Sequence, residues 1–306
     1  MAPTIQPERH SWWRILLSAF LFYLLSLGAL MLTGNPNLFP TVVLLGVFMV
    51  PAAYAAFFYD HRRLSTLGAG AVARSFLYGG LLGVIAASIL EPLLIHSLTP
   101  STMFTLAMIE EFAKILGVVI IAWRLRHDAE IDGIILGAAA GMGFAALESM
   151  GYAFTGFLRS GGSLSFTVYL TMIRGIMSPL GHGTWTAILA AMLFREARGR
   201  RFRFTWKVWI GYGAAVLLHA LWDLLPFIMA AFLLPGLDLF LGQAIVGLVG
   251  ILILWQRWRE GRQRQETEAA LAFAAVPAGE VPPTSANPMV HPNSAHPTQL
   301  ASTLGD

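Results

Sequence analysis

Eight runs of about 20 apolar residues, separated by short polar breaks, constrain this chain more than any other feature of its sequence. Hydrophobic residues make up 56% of its 306 residues and charged residues only 12%. A helix needs about 20 apolar residues to cross the hydrocarbon core of a bilayer. The runs therefore predict an all-α, polytopic membrane protein with eight transmembrane helices, at 12–33, 38–59, 75–97, 101–123, 131–157, 166–194, 207–232 and 236–257.

The basic residues predict the orientation of this eight-helix bundle. Apart from Lys114, Arg159 and Arg174, the 20 Lys and Arg residues all fall on one side of the membrane when both termini are cytoplasmic. Short cytoplasmic loops are enriched in Lys and Arg, so we expect a multi-pass protein of the cell membrane with cytoplasmic N- and C-termini. The net charge of +3 follows from these loops. We therefore expect the lipid bilayer as a partner and no nucleic acid.

The composition divides the chain into three parts. A cytoplasmic N-terminal segment, 1–11, precedes an eight-helix domain at 12–258. From 259 onward the sequence becomes rich in Ala, Pro, Ser, Thr and Asn, a composition that cannot bury enough apolar surface to offset chain entropy. We therefore predict a disordered cytoplasmic tail at 259–306. The chain has no cysteine, which excludes disulfides, thiolate metal sites and a cysteine nucleophile.

Three charged residues lie inside the fourth apolar run. The stretch 106–119 reads LAMIEEFAKILGVV and contains Glu110, Glu111 and Lys114. A charge at the bilayer centre costs roughly 2.5 to 3.5 kcal/mol on insertion scales, so three within five residues indicate a function. Glu110 and Lys114 are four residues apart and share a helix face. We expect Lys114 to hold Glu110 while Glu111 points elsewhere.

Four of the predicted helices carry ionisable groups at a similar depth. Counted from the cytoplasmic helix ends, Glu111, Glu148, His182 and His219 all lie between the middle of the bilayer and its outer side. Asp223 follows His219 by one helical turn and could orient its imidazole. This convergence predicts a single site between the helices rather than scattered polar residues.

Glycine and proline predict how the bundle packs around that site. The fifth run carries Gly133, Gly137 and Gly141 on one face, a small-xxx-small pattern that lets helices approach closely, so this helix should be central. The sixth run carries Pro179 close to His182. Proline weakens a helix and frees backbone groups, so we expect a water-accessible cavity at that level.

The residue types in this layer favour hydrolysis. In a dry cavity a glutamate can take a proton from water, while histidines or a metal stabilise the oxyanion of a tetrahedral intermediate. The sequence contains no HExxH zinc motif, no GxSG nucleophile loop and no GxGD aspartate motif. A hydrolase of this kind must therefore be driven by glutamate or by a metal.

Four sequence blocks strengthen this interpretation: EEFAK at 110–114, DGIILGAAAGMGFAALES at 132–149, GHGTWT at 181–186 and HALWD at 219–223. In this order they resemble the PrsW family of intramembrane proteases, within the wider group that includes the type II CAAX prenyl endopeptidases. The resemblance covers about 101–226. Lys114 and Glu148 stand where the CAAX branch has arginine and histidine, which argues against cleavage of prenylated proteins.

The resemblance implies roles for individual residues. It implies catalytic roles for Glu110, Glu111, His182 and His219, and supporting roles for Lys114, Glu148 and Asp223. We expect Glu111 to be the general base, because Lys114 should keep Glu110 occupied.

The resemblance also implies a substrate class and leaves the cofactor open. Family members are described both as glutamic-type and as metalloproteases, and Glu111, His182 and His219 could hold a divalent metal such as zinc. Otherwise no cofactor is expected. The implied substrate is a single-span membrane protein such as an anti-sigma factor, cut near the external face.

Other interpretations compete with the protease. A proton-coupled membrane transporter would use Glu110, Glu111 and Glu148 as a relay, but it predicts a repeat symmetry that the two halves lack. A catalytically inactive scaffold could bind membrane proteins in the same cavity, and a bis-histidine haem site would leave the glutamates unexplained. Glu91 and Arg174 are interpreted as charge partners or as residues near the outer interface.

Overall fold

The computed structural model describes residues 10–63, 65–97, 99–123, 129–198, 201–230 and 237–274. Within these ranges the chain folds into α-helices without a β-strand, apart from one isolated bridge between Arg198 and Arg201. The all-α class is therefore confirmed. The helices are α1 (Ser11–Thr33), α2 (Phe39–Asp60), α3 (Ala69–Arg74), α4 (Gly80–Leu94), α5 (Pro100–Ala122), α6 (Glu130–Arg159), α7 (Leu164–Met177), α8 (His182–Glu196), α9 (Trp206–Met229) and α10 (Leu237–Ala274).

Six helical segments of the described chain are long and apolar enough to cross a membrane. They are Ser11–Thr33, Pro36–Asp60, Ala69–Leu94, Glu130–Arg159, Trp206–Met229 and Phe240–Leu271. Helix α5 is not among them and carries three charged residues, and α7 and α8 have only 14 and 15 residues. The structure supports a polytopic helical membrane protein, while the number of eight spans and the orientation of the termini stay predictions.

The sixth predicted run is broken, as its proline suggested. Helix α7 ends at Met177, a 3₁₀ turn follows at Ser178–Leu180, and α8 begins at His182. The carbonyl of Pro179, which the break frees, accepts a hydrogen bond of 2.6 Å from the Thr184 hydroxyl. The break places His182 in the first turn of α8, at the level of the site.

Helix α6 is central, and its glycines let α8 pack against its backbone. Every residue from 130 to 146 is buried. A Cβ atom on Gly137 would lie 2.6 Å from both the Thr186 carbonyl oxygen and the Ala190 Cβ, and one on Gly141 would overlap the His182 carbonyl oxygen. The predicted close approach along the glycine face is confirmed.

This contact makes the substitution Gly141→Ala destabilising. Overpacking a close interface costs about 1 to 3 kcal/mol in the free energy of unfolding, because one of the two backbones must move. The change should be measured by reversible unfolding in detergent. Gly151→Ala, on the same helix and with no atom within 4 Å of the added Cβ, is the matched control. It should be neutral or stabilising, since alanine favours a helix over glycine; equal effects of the two changes would contradict the packing argument.

The last helix continues beyond the boundary predicted for a disordered tail. Helix α10 extends to Ala274, well past residue 259. Its C-terminal part contains Ala, Leu, Glu, Gln and Arg, which are strong helix formers, and the pair Arg262–Glu266 is one turn apart at 3.7 Å. The predicted start of the disordered tail at 259 is therefore too early, because the chain is still helical there and stays so to Ala274. Residues 275–306 of the predicted tail and 1–9 of the N-terminal segment lie outside the described residues.

Candidate active site

The buried ammonium group of Lys114 lies at the centre of a polar cluster. Its Nζ is 2.9 Å from Glu110 Oε2 and 2.9 Å from Glu111 Oε1. It also donates a hydrogen bond of 2.8 Å to His182 Nδ1 and lies 3.9 Å from the centre of the Phe144 ring. The expectation that Glu111 points away from Lys114 is therefore wrong, because residues three apart on a helix are also neighbours.

His182 links this cluster to α6 and α7. Because an ammonium group can only donate, the Nδ1 atom of His182 accepts and the ring proton resides on Nε2. That Nε2 atom is 3.2 Å from Glu148 Oε2, which is 2.8 Å from Arg174 Nη2. Arg174 Nε also donates to the Ser149 hydroxyl at 3.0 Å. Arg174 is thus a charge partner of Glu148, which was one of the two interpretations of this residue.

His219 is held by Glu111 from the neighbouring helix α5. Its Nδ1 atom is 3.1 Å from Glu111 Oε1, and Thr186 donates to the other oxygen of that carboxylate at 3.1 Å. Trp185 stacks on the imidazole with a centroid distance of 4.8 Å. Asp223 is farther away, with 3.6 Å between its Oδ2 and His219 Nε2. Glu111, rather than the predicted Asp223, therefore orients this histidine.

The cluster borders a cavity of about 390 Å³. Its ionisable lining is formed by Glu91, Glu110, Glu148, Tyr152, Arg174, His182, His219 and Asp223. Glu111 has no exposed surface and does not line the cavity, whereas Glu110 does. The expected cavity beside His182 is therefore present, and Glu110 is the member of the glutamate pair that faces it.

Three side chains can converge on one metal ion. Single ligand atoms of Glu110, His182 and His219 lie within 4.8 Å of one another. One carboxylate and two imidazoles form a ligand set used by catalytic zinc sites. Since Glu111 accepts the Nδ1 proton of His219, Nε2 of that ring is left as the ligand atom, an arrangement common at zinc-binding histidines. The residue types fit a divalent ion, with Glu110 in place of the predicted Glu111, and an ion bound there would displace the Lys114 ammonium group from Glu110 Oε2 and His182 Nδ1.

Some contributors to the site were not assigned from sequence. Thr186 and Trp185 lie in the GHGTWT block, so their closeness to His182 in the chain was the available signal. Glu91 was interpreted as a charge partner or an interfacial residue, but it lines the cavity beside Glu110, and its Oε1 atom has no hydrogen-bond partner in the described structure. Its only signal was a carboxylate within an apolar run.

These features define a multi-pass helical membrane protein with a buried glutamate and histidine site of the kind that can activate water. A family model described as PrsW family intramembrane metalloprotease matches residues 68–256. The chain belongs to this family, which confirms the resemblance noted in the sequence and makes it an intramembrane protease by family. No curated protein and no solved structure matches the chain.

Proposed function

We propose that the chain hydrolyses peptide bonds of single-span membrane proteins within or near the bilayer, with Glu110 as the general base. One observation carries this assignment. Glu110 and His219 face the same cavity, with 3.7 Å between Glu110 Oε2 and His219 Nε2, while Glu111 is sealed behind them. The earlier preference for Glu111 assumed that Lys114 occupies Glu110 alone, but Lys114 contacts both carboxylates equally.

The hydrogen bonds of the two histidines suggest the steps. With Nδ1 donating to Glu111, His219 presents Nε2 as an acceptor that can orient a water molecule beside Glu110. Glu110 takes one proton from this water as its oxygen attacks the carbonyl carbon of the substrate. The Nε2–H group of His182, which lies 3.2 Å from Glu148 Oε2, can be shared with the resulting oxyanion. The proton held by Glu110 then passes to the departing amine as the C–N bond breaks.

Glu110, His182 and His219 are also the residues that would hold a divalent ion. When bound, such an ion would supply Lewis-acid polarisation of water or of the carbonyl oxygen. Lys114 contacts two of these three residues, so its ammonium group shares their ligand atoms. In the absence of an ion it balances part of their charge.

The proposal includes the topology and the partner. Eight spans with both termini in the cytoplasm agree with the basic loops. Glu110 and Glu111 lie near the middle of α5, which in this topology is the middle of the bilayer. Family resemblance supports an anti-sigma-like, single-span substrate cut toward the external face. Cleavage products mapped to the cytoplasmic juxtamembrane region of the substrate would contradict that position.

The test combines cleavage with metal analysis. The wild type is co-expressed with a library of tagged single-span membrane proteins, and shortened fragments are identified by immunoblotting. Fragments should form with wild type and with the exposed-residue control Glu268→Gln, but not with Glu110→Gln. Metal content of the purified proteins is measured before and after chelation, beside the triple variant Glu110→Gln/His182→Ala/His219→Ala. One equivalent of zinc, lost in the triple variant, would identify the ligands; metal-free protein that still cleaves would assign the chemistry to Glu110 alone.

A further inference from the structure

A second groove lies between α2 and α10, away from the candidate active site. It consists of two adjoining cavities of about 550 and 240 Å³. Both are lined by His61, Arg262 and Glu266, so they form one continuous groove. Neither cavity shares a lining residue with the cavity at Glu110. The proposed protease chemistry does not account for this groove.

The larger cavity has an aromatic and aliphatic wall. Phe57 and Phe58 come from the last turn of α2, and Leu254, Trp255 and Trp258 come from the middle of α10. Phe57 and Trp255 are well exposed. Tryptophan is enriched where a membrane protein meets the polar boundary of the bilayer, because its ring is apolar and its N–H is polar. This part of the groove is suited to an acyl chain.

The smaller cavity is basic. Arg62, Arg63 and Arg262 line it, Arg259 stands at the edge of the larger cavity, and Glu266 is the one carboxylate in either described lining. An anionic group is therefore favoured there over a cationic or neutral one.

A buried guanidinium group points to a ligand more directly than this charge balance. Arg62 is only 5% exposed, stacks on the Tyr59 ring and donates to the Tyr59 carbonyl at 2.7 Å. Its Nε atom is buried and has no hydrogen-bond partner in the described structure. A buried polar group without a partner costs free energy, so an acceptor is expected to satisfy it in the membrane. A phosphate oxygen is the acceptor that arginine binds best.

The position of the groove fits the boundary of a membrane. Helix α10 has 38 residues and is about 57 Å long at 1.5 Å per residue, nearly twice the hydrocarbon thickness. Its C-terminal part therefore continues beyond the bilayer, on the side to which the basic loops assign the cytoplasm. The groove lies where α10 passes this boundary, with its apolar cavity toward the membrane helices and its arginines toward the C-terminal end of α10.

We propose that this groove binds one anionic phospholipid of the cytoplasmic leaflet. The phosphate lies against Arg62 and Arg262, and an acyl chain follows the aromatic wall. The arginines of the smaller cavity favour an anionic headgroup. Because an apolar cavity adjoins this basic one, the groove favours a lipid over a free anion. The site is independent of the catalytic residues.

The test is native mass spectrometry of the full-length chain in neutral detergent, titrated with phosphatidylglycerol or with phosphatidylcholine of the same acyl chains. Wild type should retain one phosphatidylglycerol more tightly than phosphatidylcholine. Arg259→Gln/Arg262→Gln should weaken phosphatidylglycerol binding about 30-fold, since each basic residue near an anionic lipid contributes about 1 kcal/mol. The control Arg201→Gln/Arg203→Gln removes the same charge from two exposed positions between α8 and α9 and should bind as wild type does.

Thermal unfolding in the same samples checks that the variants are folded and gives a second readout, because a ligand of the native state raises the melting temperature. Three results would overturn the proposal. The two lipids could bind equally, or the groove variant and its control could lose affinity equally. Inorganic phosphate could stabilise the protein as well as the lipid does, which would indicate a small-anion site.

Discussion

Replacing Glu110 by glutamine is expected to lower the rate of substrate cleavage at least about 100-fold. Proton transfer by a positioned side chain contributes about 10² to 10⁴ in rate, and an amide of the same shape cannot accept the proton. Folding should be retained, because Lys114 still pairs with Glu111 at 2.9 Å. The measurement is the cleavage rate in proteoliposomes, using a single-span protein that the wild type cuts, together with the unfolding midpoint in detergent.

The variant Glu111→Gln provides the comparison for this prediction. It makes the same charge change one residue away, but at a carboxylate that contacts Lys114, Thr186 and His219. Its loss of activity should therefore be accompanied by a lower unfolding midpoint. If Glu111→Gln abolished cleavage at unchanged stability while Glu110→Gln retained the wild-type rate, the two roles would have to be exchanged.

The substitution Lys114→Met should reduce the free energy of unfolding by about 3 to 5 kcal/mol, the usual cost of removing one partner from a buried ion pair. Lys114 has no exposed surface and pairs with both Glu110 and Glu111. Methionine fills a similar volume but leaves two carboxylates buried without a cation. The change is measured by reversible unfolding in detergent, and wild-type stability would contradict the assigned role.

Two further variants separate charge from packing in this prediction. Lys114→Met/Glu111→Gln removes one of the orphaned carboxylates, so it should lose less stability than the sum of the single changes. Lys207→Met is the matched control, because the Lys207–Glu196 pair is at 3.3 Å but the lysine side chain is 40% exposed. An exposed pair contributes about 0 to 1 kcal/mol. A strictly additive double variant would indicate that lost packing, rather than charge, dominates.

The positions of most helices could be predicted from sequence, because long apolar runs between polar breaks favour helices in a membrane protein. The run at 101–123 coincides with α5, and the run at 12–33 coincides with α1. The third run was less predictable, since a π turn at Ser75–Gly79 separates α3 from α4. This turn packs against α6, where Ser75 donates to the Leu136 carbonyl at 2.8 Å. Such a distortion depends on a contact with a distant helix and leaves no local signal.

The members of the site could be predicted, but their pairing could not. Ionisable groups are rare in apolar runs, which is why Glu110, His182 and His219 were found. Spacing along α5 allowed Lys114 to meet either glutamate, and only the packing of α8 and α9 shows that Glu111 is surrounded. Faces are also hard to assign, because lipid-facing and buried residues are both apolar. The position of Glu91 in the cavity was therefore missed.

The backbone contact between α6 and α8 has a mechanical consequence. Helices that touch through glycine, as at Gly137 and Gly141, cannot slide or separate without breaking contacts along their whole length. Glu148 and His182, carried by these two helices, therefore keep their mutual distance whether the cavity is filled or empty. Helix α10 packs differently, because Gly247 and Gly250 meet the side chains of Leu180 and Thr184 rather than backbone atoms. Movement of α10 should therefore cost less than separation of α6 from α8. The pair α6 and α8 therefore forms the rigid support of Glu148 and His182, and α10 is the neighbouring helix that can shift against α8 without breaking a glycine-to-backbone contact.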